Sequence, residues 1–419
     1  MKILQIVSLA VGVAGLAYAL GSAPGPVTIV VSGDFKGYLS PCGCSYPMIG
    51  GIKRRASAIR SVAQKSQLIV VDNGGLVSGT TRQDEIKAET LAEALSLMGA
   101  DAINLGVEEA RLGKDMVASI QRLSGNRLIS SQLPAPAPLG IKPYAAKNGY
   151  LIGGVCTQPD PIAKALSVKM IAVDRAVANL VAEAAKRKLK PFLLLRGSED
   201  EAKATAAKNP KLAAIVFSGS GDPLSKPLRV GSTLLLTAGE FGKYLVSLQQ
   251  GSSGALSYKS VPLSPEYQDD PSVSGAYFAY LDRLKAERLL DQWPRVQTDA
   301  YAGSETCGDC HKKAYKVWAE SRHAKALASL ERVGHDFDPD CVNCHVTGLS
   351  SKKGFVSREA TPSLANVGCE SCHGPLGDHA RSPRSKRPGN ASVPCTSCHD
   401  TGHSTQFNYE AYWSKIAHR

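Results

Sequence analysis

The sequence predicts an α/β sandwich followed by a mainly α, loop-rich domain. Three observations predict it. Short apolar runs alternate with stretches of helical periodicity over residues 27–265. Four Cys-x-x-Cys-His pentapeptides crowd between residues 307 and 399. All nine histidines lie at or after residue 311, so chemistry that needs imidazole is confined to the C-terminal part. A chain of 419 residues has room for two or three domains. It divides into residues 1–23, 27–265, 266–304 and 305–419.

In residues 1–23, Met1-Lys2 precedes an apolar run from Ile3 to Leu20, with Ala17-Tyr18-Ala19 fitting a cleavage signal. A signal peptide or an uncleaved anchor both fit, and either exports the chain to a periplasmic or extracellular location. The α/β part follows. Val27–Val31, Leu68–Val71, Ala102–Leu105, Leu128–Ser131, Tyr150–Val155, Phe192–Leu195, Ala213–Phe217 and Thr233–Ala238 read as strands. Ile86–Met98 and Val173–Lys188 read as helices between them, and the alternation argues a largely parallel central sheet. Gly251-Ser-Ser-Gly254 and Pro262–Pro271 gather turn residues and mark a boundary. Val273–Leu290 then reads as an amphipathic helix packing the two domains together.

In residues 305–419, Cys307-Gly-Asp-Cys310-His311, Cys341-Val-Asn-Cys344-His345, Cys369-Glu-Ser-Cys372-His373 and Cys395-Thr-Ser-Cys398-His399 each read as an attachment site for c-type haem. Two thiols add across the vinyl groups of one porphyrin, and the following histidine supplies the proximal nitrogen to iron. Zinc ribbons or disulfides would use the cysteines but leave a histidine after every pair unexplained. Four haem c groups are therefore expected, and they form the core of this domain. His323, His335, His379, His403 and His418 remain as candidates for the distal positions. Cys307 through Leu330 reads as one helix, which puts His323 about 18 Å beyond His311. His323 must then serve a different haem.

The formal charge of +12 does not argue for nucleic acid. The basic residues are dispersed along the sequence, and haem propionates would offset much of the excess. The strongest basic run, Arg381-Ser-Pro-Arg384-Ser-Lys386-Arg387, reads as a solvated loop or a docking patch for an acidic redox partner. Cys42, Cys44 and Cys156 lie outside the pentapeptides. A disulfide and a functional thiol pair are both open for them.

Two resemblances extend this reading. Thr28–Gly37, Gly50-Gly51-Ile-Lys-Arg54-Arg55, Ile69–Gly75, Asn104-Leu-Gly106-Val-Glu108, Ser218–Asp222 and Thr237–Lys243 follow the motif order of the calcineurin-like metallophosphatases, in their secreted 5′-nucleotidase branch. That resemblance implies a two-metal site at the strand ends. Lys36, Val107, Arg196 and Ser220 stand where it requires ligands, and a cation at Lys36 or Arg196 would repel metal. A non-catalytic, metallophosphatase-like domain is expected, with Asp34, Asp72 and Asp222 left over. Trp318–Ala324, Cys341–Gly348, Val367–Pro375 with His379, and Tyr412–His418 resemble the tetrahaem cytochrome c-554 family. By position, that resemblance implies His379 opposite His311, His323 opposite His373 and His418 opposite His399. His345 is left five-coordinate or with His335, and His403 is left at the surface. The expected function is electron transfer with redox partner proteins, the haems being mostly bis-histidine. The alternatives are a nucleotidase-like metallohydrolase with an attached redox module, or a nitrogen-oxide reductase at the His345 iron. Oligomers or a conducting filament also fit, whereas a membrane enters only through an uncleaved N-terminal segment.

Overall fold

The computed structural model describes residues 26–41, 47–384, 391–400 and 402–418. The apolar N-terminal run, Cys42, Cys44 and the later part of the basic run lie outside these residues. Among the described residues, strands β1 (Val27–Ser32), β2 (Gln67–Asp72), β3 (Ala102–Asn104), β4 (Leu128–Ile129), β5 (Tyr144–Lys147) and β6 (Tyr150–Cys156) precede β7 (Lys190–Arg196), β8 (Ala214–Phe217), β9 (Leu228–Val230), β10 (Thr233–Leu236), β11 (Tyr244–Gln250) and β12 (Leu256–Pro262). They form two six-stranded sheets, ordered β12-β11-β1-β2-β3-β4 and β5-β6-β7-β8-β10-β9. The parallel strands are thus shared between two facing sheets rather than held in one central sheet.

The packing explains why those strands read as unbroken apolar runs. Ile69 and Val71 point between the sheets, with Ile29, Val31, Phe192 and Leu194. Val70 points outward onto the helices Ile52–Ala63 and Arg82–Leu97. Leu193 and Leu195 point outward beneath the helix Val173–Lys186. Strands covered on both faces need apolar side chains at every position. The edge strands lack that signal. The edge strand β12 alternates half-buried and exposed residues, and its neighbour β11 is only partly covered. Gly251–Gly254 is the turn of their hairpin, not a domain boundary, and Gly254 takes φ 80° there.

The helix expected at Val273–Leu290 runs from Pro271 to Ala286. Asp270 caps it by accepting from Ser272 N (3.0 Å) and Val273 N (3.4 Å), and Pro271 fits the first turn. Its face of Val273, Tyr277, Tyr280 and Leu284 joins the core of the first sheet. Gln83 Nε2 donates to both Tyr280 Oη and Asp338 Oδ1, each at 2.8 Å, and so ties that helix to the C-terminal domain. A Lys87–Asp340 ion pair and Lys285 over the Phe337 ring (4.4 Å) reinforce the contact.

The single helix expected over Cys307–Leu330 is broken. Helices Ser304–Cys310 and Lys312–Glu320 are followed by a 3-10 turn at His323–Lys325 and a helix at Ala326–Glu331. Ser321 is extended (ψ 164°) and ends the second of these. Beyond this point the apolar core is small. Leu327, Leu330, Val342, Val346, Leu349, Phe355, Leu364 and Ala365 cluster beside the second pentapeptide, and no described residue after 365 joins them.

Candidate functional site

In each pentapeptide one turn of helix sets the geometry. His311 N and His399 N each bond the carbonyl of the first cysteine of their motif at 2.9 Å. Residues three and four apart share a face, so two thiols and an imidazole emerge together. Cys307 lies beside Cys369, and Cys344 lies beside Cys398. The first pentapeptide therefore adjoins the third, and the second adjoins the fourth.

The histidines come together in pairs. Ring centroids lie 6.2 Å apart for His311 and His379, 6.3 Å for His323 and His399, and 6.0 Å for His373 and His418. Two imidazoles each about 2 Å from one metal ion have centroids roughly 6 Å apart once their ring radii are added. The spacing therefore suits one iron between each pair. Nδ1 is engaged in several rings: His418 Nδ1 lies 2.8 Å from Ile416 O, His399 Nδ1 3.1 Å from Ser404 Oγ, and His345 Nδ1 2.8 Å from Ala326 O. That leaves Nε2 for a metal. Burial also pushes the His323, His373 and His399 imidazoles down, toward the neutral form that binds metal.

The first pairing is the one implied by the resemblance, and the other two are exchanged. His323 faces His399 rather than His373, and His418 faces His373 rather than His399. The break at Ser321 redirects His323. Phe407 and Tyr412 pack on His399, with centroids at 5.0 and 5.3 Å, so the chain has passed that ring before it delivers His418. Among the described residues no ring pair brings a second imidazole to His345. His335 instead lies beside Cys341 and Asp338 and stacks on Phe337, its Nδ1 buried without a partner. His403 is at the surface against Asp400. Glu370 had no sequence signal beyond its place inside a pentapeptide. It is buried and accepts from the backbone of Ala302, Gly303 and Leu376, which orders the entry to the first motif and the exit from the third.

The other set of chemical residues lies at the C-terminal ends of the parallel strands. Arg196, ending β7, donates Nη1 to Asp34 Oδ1 at 2.6 Å and Nη2 to Glu108. Arg196 and Asp34 side chains are each 7% exposed. The guanidinium bridges the sheets and balances these carboxylates. Lys36 pairs with Glu240. Asp72 accepts from Ser32 Oγ (2.7 Å) and Gly74 N (2.8 Å). Glu109 accepts from Leu76 N (2.7 Å) and Gly106 N (2.9 Å). Asp222 stands apart and accepts from the Tyr244 hydroxyl at 2.8 Å. Cys156 is a buried free thiol that burial pushes up to about 11.

Burial pushes the Asp72 carboxyl up from 3.8 to about 6, and burial with Glu108 beside it pushes Glu109 up from 4.5 to about 7. A carboxyl whose folded value is raised stabilises the fold below its unfolded value. That contribution is lost as pH rises through the folded value. Thermal unfolding of the α/β domain is therefore expected to lose stability between about pH 4 and 7. Asp72→Asn should flatten that loss, and an equal slope in the variant would exclude Asp72 as a source.

Comparison with known proteins finds separate likenesses for the two parts of the chain. Residues 306–374 match the family described as cytochrome c554 and c-prime. Cytochrome c-554 of Nitrosomonas europaea is 37% identical over 101 residues, covering 20% of this chain and 43% of that protein. The chain thus spans less than half of that relative. Among solved structures, a 5′-nucleotidase precursor of Thermus thermophilus aligns with TM-score 0.53 at 17% identity, over 74% of this chain and 68% of its own. The sulfate thiohydrolase SoxB of the same organism aligns with TM-score 0.52 at 16% identity, over 62% and 61%. The N-terminal domain has the calcineurin-like phosphoesterase fold, and at these identities the fold alone is shared. The C-terminal domain resembles the cytochrome c-554 family, and that likeness supports a multihaem c-type cytochrome with covalently bound haem c.

Proposed function

We propose that the chain is an exported tetrahaem electron-transfer protein whose phosphoesterase-like domain is a non-catalytic scaffold. The observation that carries this reading is the set of three facing imidazole pairs beside cysteine pairs of adjoining motifs. Bound haem c would supply iron that cycles between ferric and ferrous states. The chain's own residues do the rest. Cys307, Cys310, Cys341, Cys344, Cys369, Cys372, Cys395 and Cys398 would anchor the porphyrins, and His311, His345, His373 and His399 would each ligate an iron. His379, His323 and His418 would supply the second ligand opposite His311, His399 and His373. Imidazole on both faces excludes substrate and leaves outer-sphere electron exchange with a redox partner. The adjoining motifs, first with third and second with fourth, supply short routes between centres.

Intact mass spectrometry of the exported chain is expected to show four haems and the start of the mature N-terminus. A chain with zinc or disulfides at the pentapeptides would overturn the reading. A second reading rests on His345, which has no facing imidazole among the described residues: its iron would bind nitric oxide or a similar small ligand. Release of phosphate from nucleotides is not expected with any divalent metal, because Arg196 already neutralises Asp34 and Glu108.

A further inference from the structure

The dispersed basic residues converge in the fold. Both sheets run their parallel strands in one direction, since Arg196 meets Asp34 at the C-terminal ends and Tyr150 Oη meets Gln250 Oε1 (2.8 Å) at the N-terminal ends. Each helix-to-strand connection therefore returns to the same face. Lys186, Arg187, Lys188, Lys211 and Arg229 are exposed there and Lys190 is half-buried. None of them is in an ion pair among the described residues. Lys190, Lys211 and Arg229 rim a groove of about 530 Å³ whose floor includes Tyr150, Leu189, Leu212 and Leu256, and no acidic side chain lines it. The nearby acids are Glu183, one turn before the helix end, and Asp101, which is paired with Lys147. Cations in a last helical turn complement the helix dipole. Lys188, Lys190, Lys211 and Arg229 lie beyond any helix, so the dipole leaves them unexplained.

Two further facts say what covers this face. The chain enters β1 here at Pro26-Val27, a few residues after the apolar run Ile3–Leu20. Leu97, at the end of its helix and next to the entry to β3, is 44% exposed. A basic rim and an apolar floor, on the face where the chain enters β1 after an apolar run in the sequence, match the chemistry of an anionic bilayer, which attracts cations and receives apolar groups.

We propose that the face carrying the N-terminal ends of the parallel strands docks on an anionic phospholipid membrane. The pentapeptide domain then points away from the lipid. The loop after His399 meets the far end of the sandwich, where Gly402 packs on Phe241, a strand length of about 23 Å from the membrane face.

The test uses full-length, haem-loaded chain and flotation with phosphatidylcholine vesicles or mixed phosphatidylcholine–phosphatidylglycerol vesicles. Each surface cation contributes roughly fivefold. Lys186→Glu/Arg187→Glu/Lys188→Glu is expected to reduce the preference for phosphatidylglycerol by roughly a hundredfold. Lys352→Glu/Lys353→Glu, exposed in the haem domain, should keep it, and salt should weaken it in the wild type. Because the two vesicle types differ only in lipid charge, the ratio isolates the basic face. Equal binding of the wild type to both compositions would overturn the proposal, as would a triple variant with the wild-type preference.

Discussion

Arg196→Ala is expected to destabilise the α/β domain by about 3–5 kcal/mol, the usual loss when one partner of a buried ion pair is removed. The guanidinium is the cation shared by Asp34 and Glu108, and it also faces Glu109, so its loss leaves several carboxylates in one buried cluster. Its neighbours already resist ionisation: burial raises Asp34 despite Arg196, and Asp72 and Glu109 are raised further. In the variant these groups would recover neutrality by binding protons, so the destabilisation should shrink as pH falls toward 5 and grow toward pH 8. Arg196→Lys should recover only part of the loss, because an ammonium cannot span both carboxylates in the fork geometry of guanidinium. Chemical denaturation followed by far-ultraviolet circular dichroism measures both. Added Mn²⁺ is a further readout: it should stabilise Arg196→Ala and leave the wild type unmoved, because only the variant has carboxylates without a counterion. A wild type stabilised by Mn²⁺ to the same degree would show that a metal, not the arginine, balances this cluster.

The sequence made this site legible in outline. Asp34, Asp72, Glu108 and Arg196 were all visible as motif positions, and a cation at Arg196 was readable as hostile to metal. That the arginine would itself bond Asp34 and Glu108 was not, because it comes from β7 of the opposite sheet and only the sandwich brings it across. The same limit governed the fold. β1, β2, β6 and β7 were readable because burial on both faces demands apolar runs. β5, β9, β11 and β12 were not, because edge and half-covered strands carry polar residues that resemble loops. The Cys-x-x-Cys-His pentapeptides are local in sequence and are read directly from it. The second imidazoles are set by long-range folding, and positional analogy found which residues were available but exchanged two of the three facings. The break at Ser321 is the local cause, and helical periodicity across Ser321-Arg322-His323 gives no warning of it.

That exchange yields the sharpest spectroscopic prediction. His323→Ala is expected to turn the iron at His399 high-spin, while His418→Ala should turn the iron at His373 high-spin. If His323 instead served His373, the two variants would swap their effects. Electron paramagnetic resonance counts the new high-spin centre but does not say which haem carries it. The assignment comes from surroundings that differ: Phe407 stacks on His399 and Tyr412 meets it edge-on, whereas His373 has neither contact. Phe407→Ala should therefore perturb the signal created by His323→Ala and leave the one created by His418→Ala unchanged. A methionine in place of His323 should raise the midpoint of a single centre by on the order of 0.1 V, since thioether ligation favours the ferrous state. Potentiometry would then show one shifted wave among four. The wild type sets the reference and is expected to show three low-spin centres, with a high-spin centre at His345 if that iron has no second imidazole. The prediction depends on the ring separations of 6.0–6.3 Å marking true axial pairs. If His323→Ala leaves every signal in place, then the facing of His323 and His399 is a packing contact and the distal ligand at His399 must come from elsewhere.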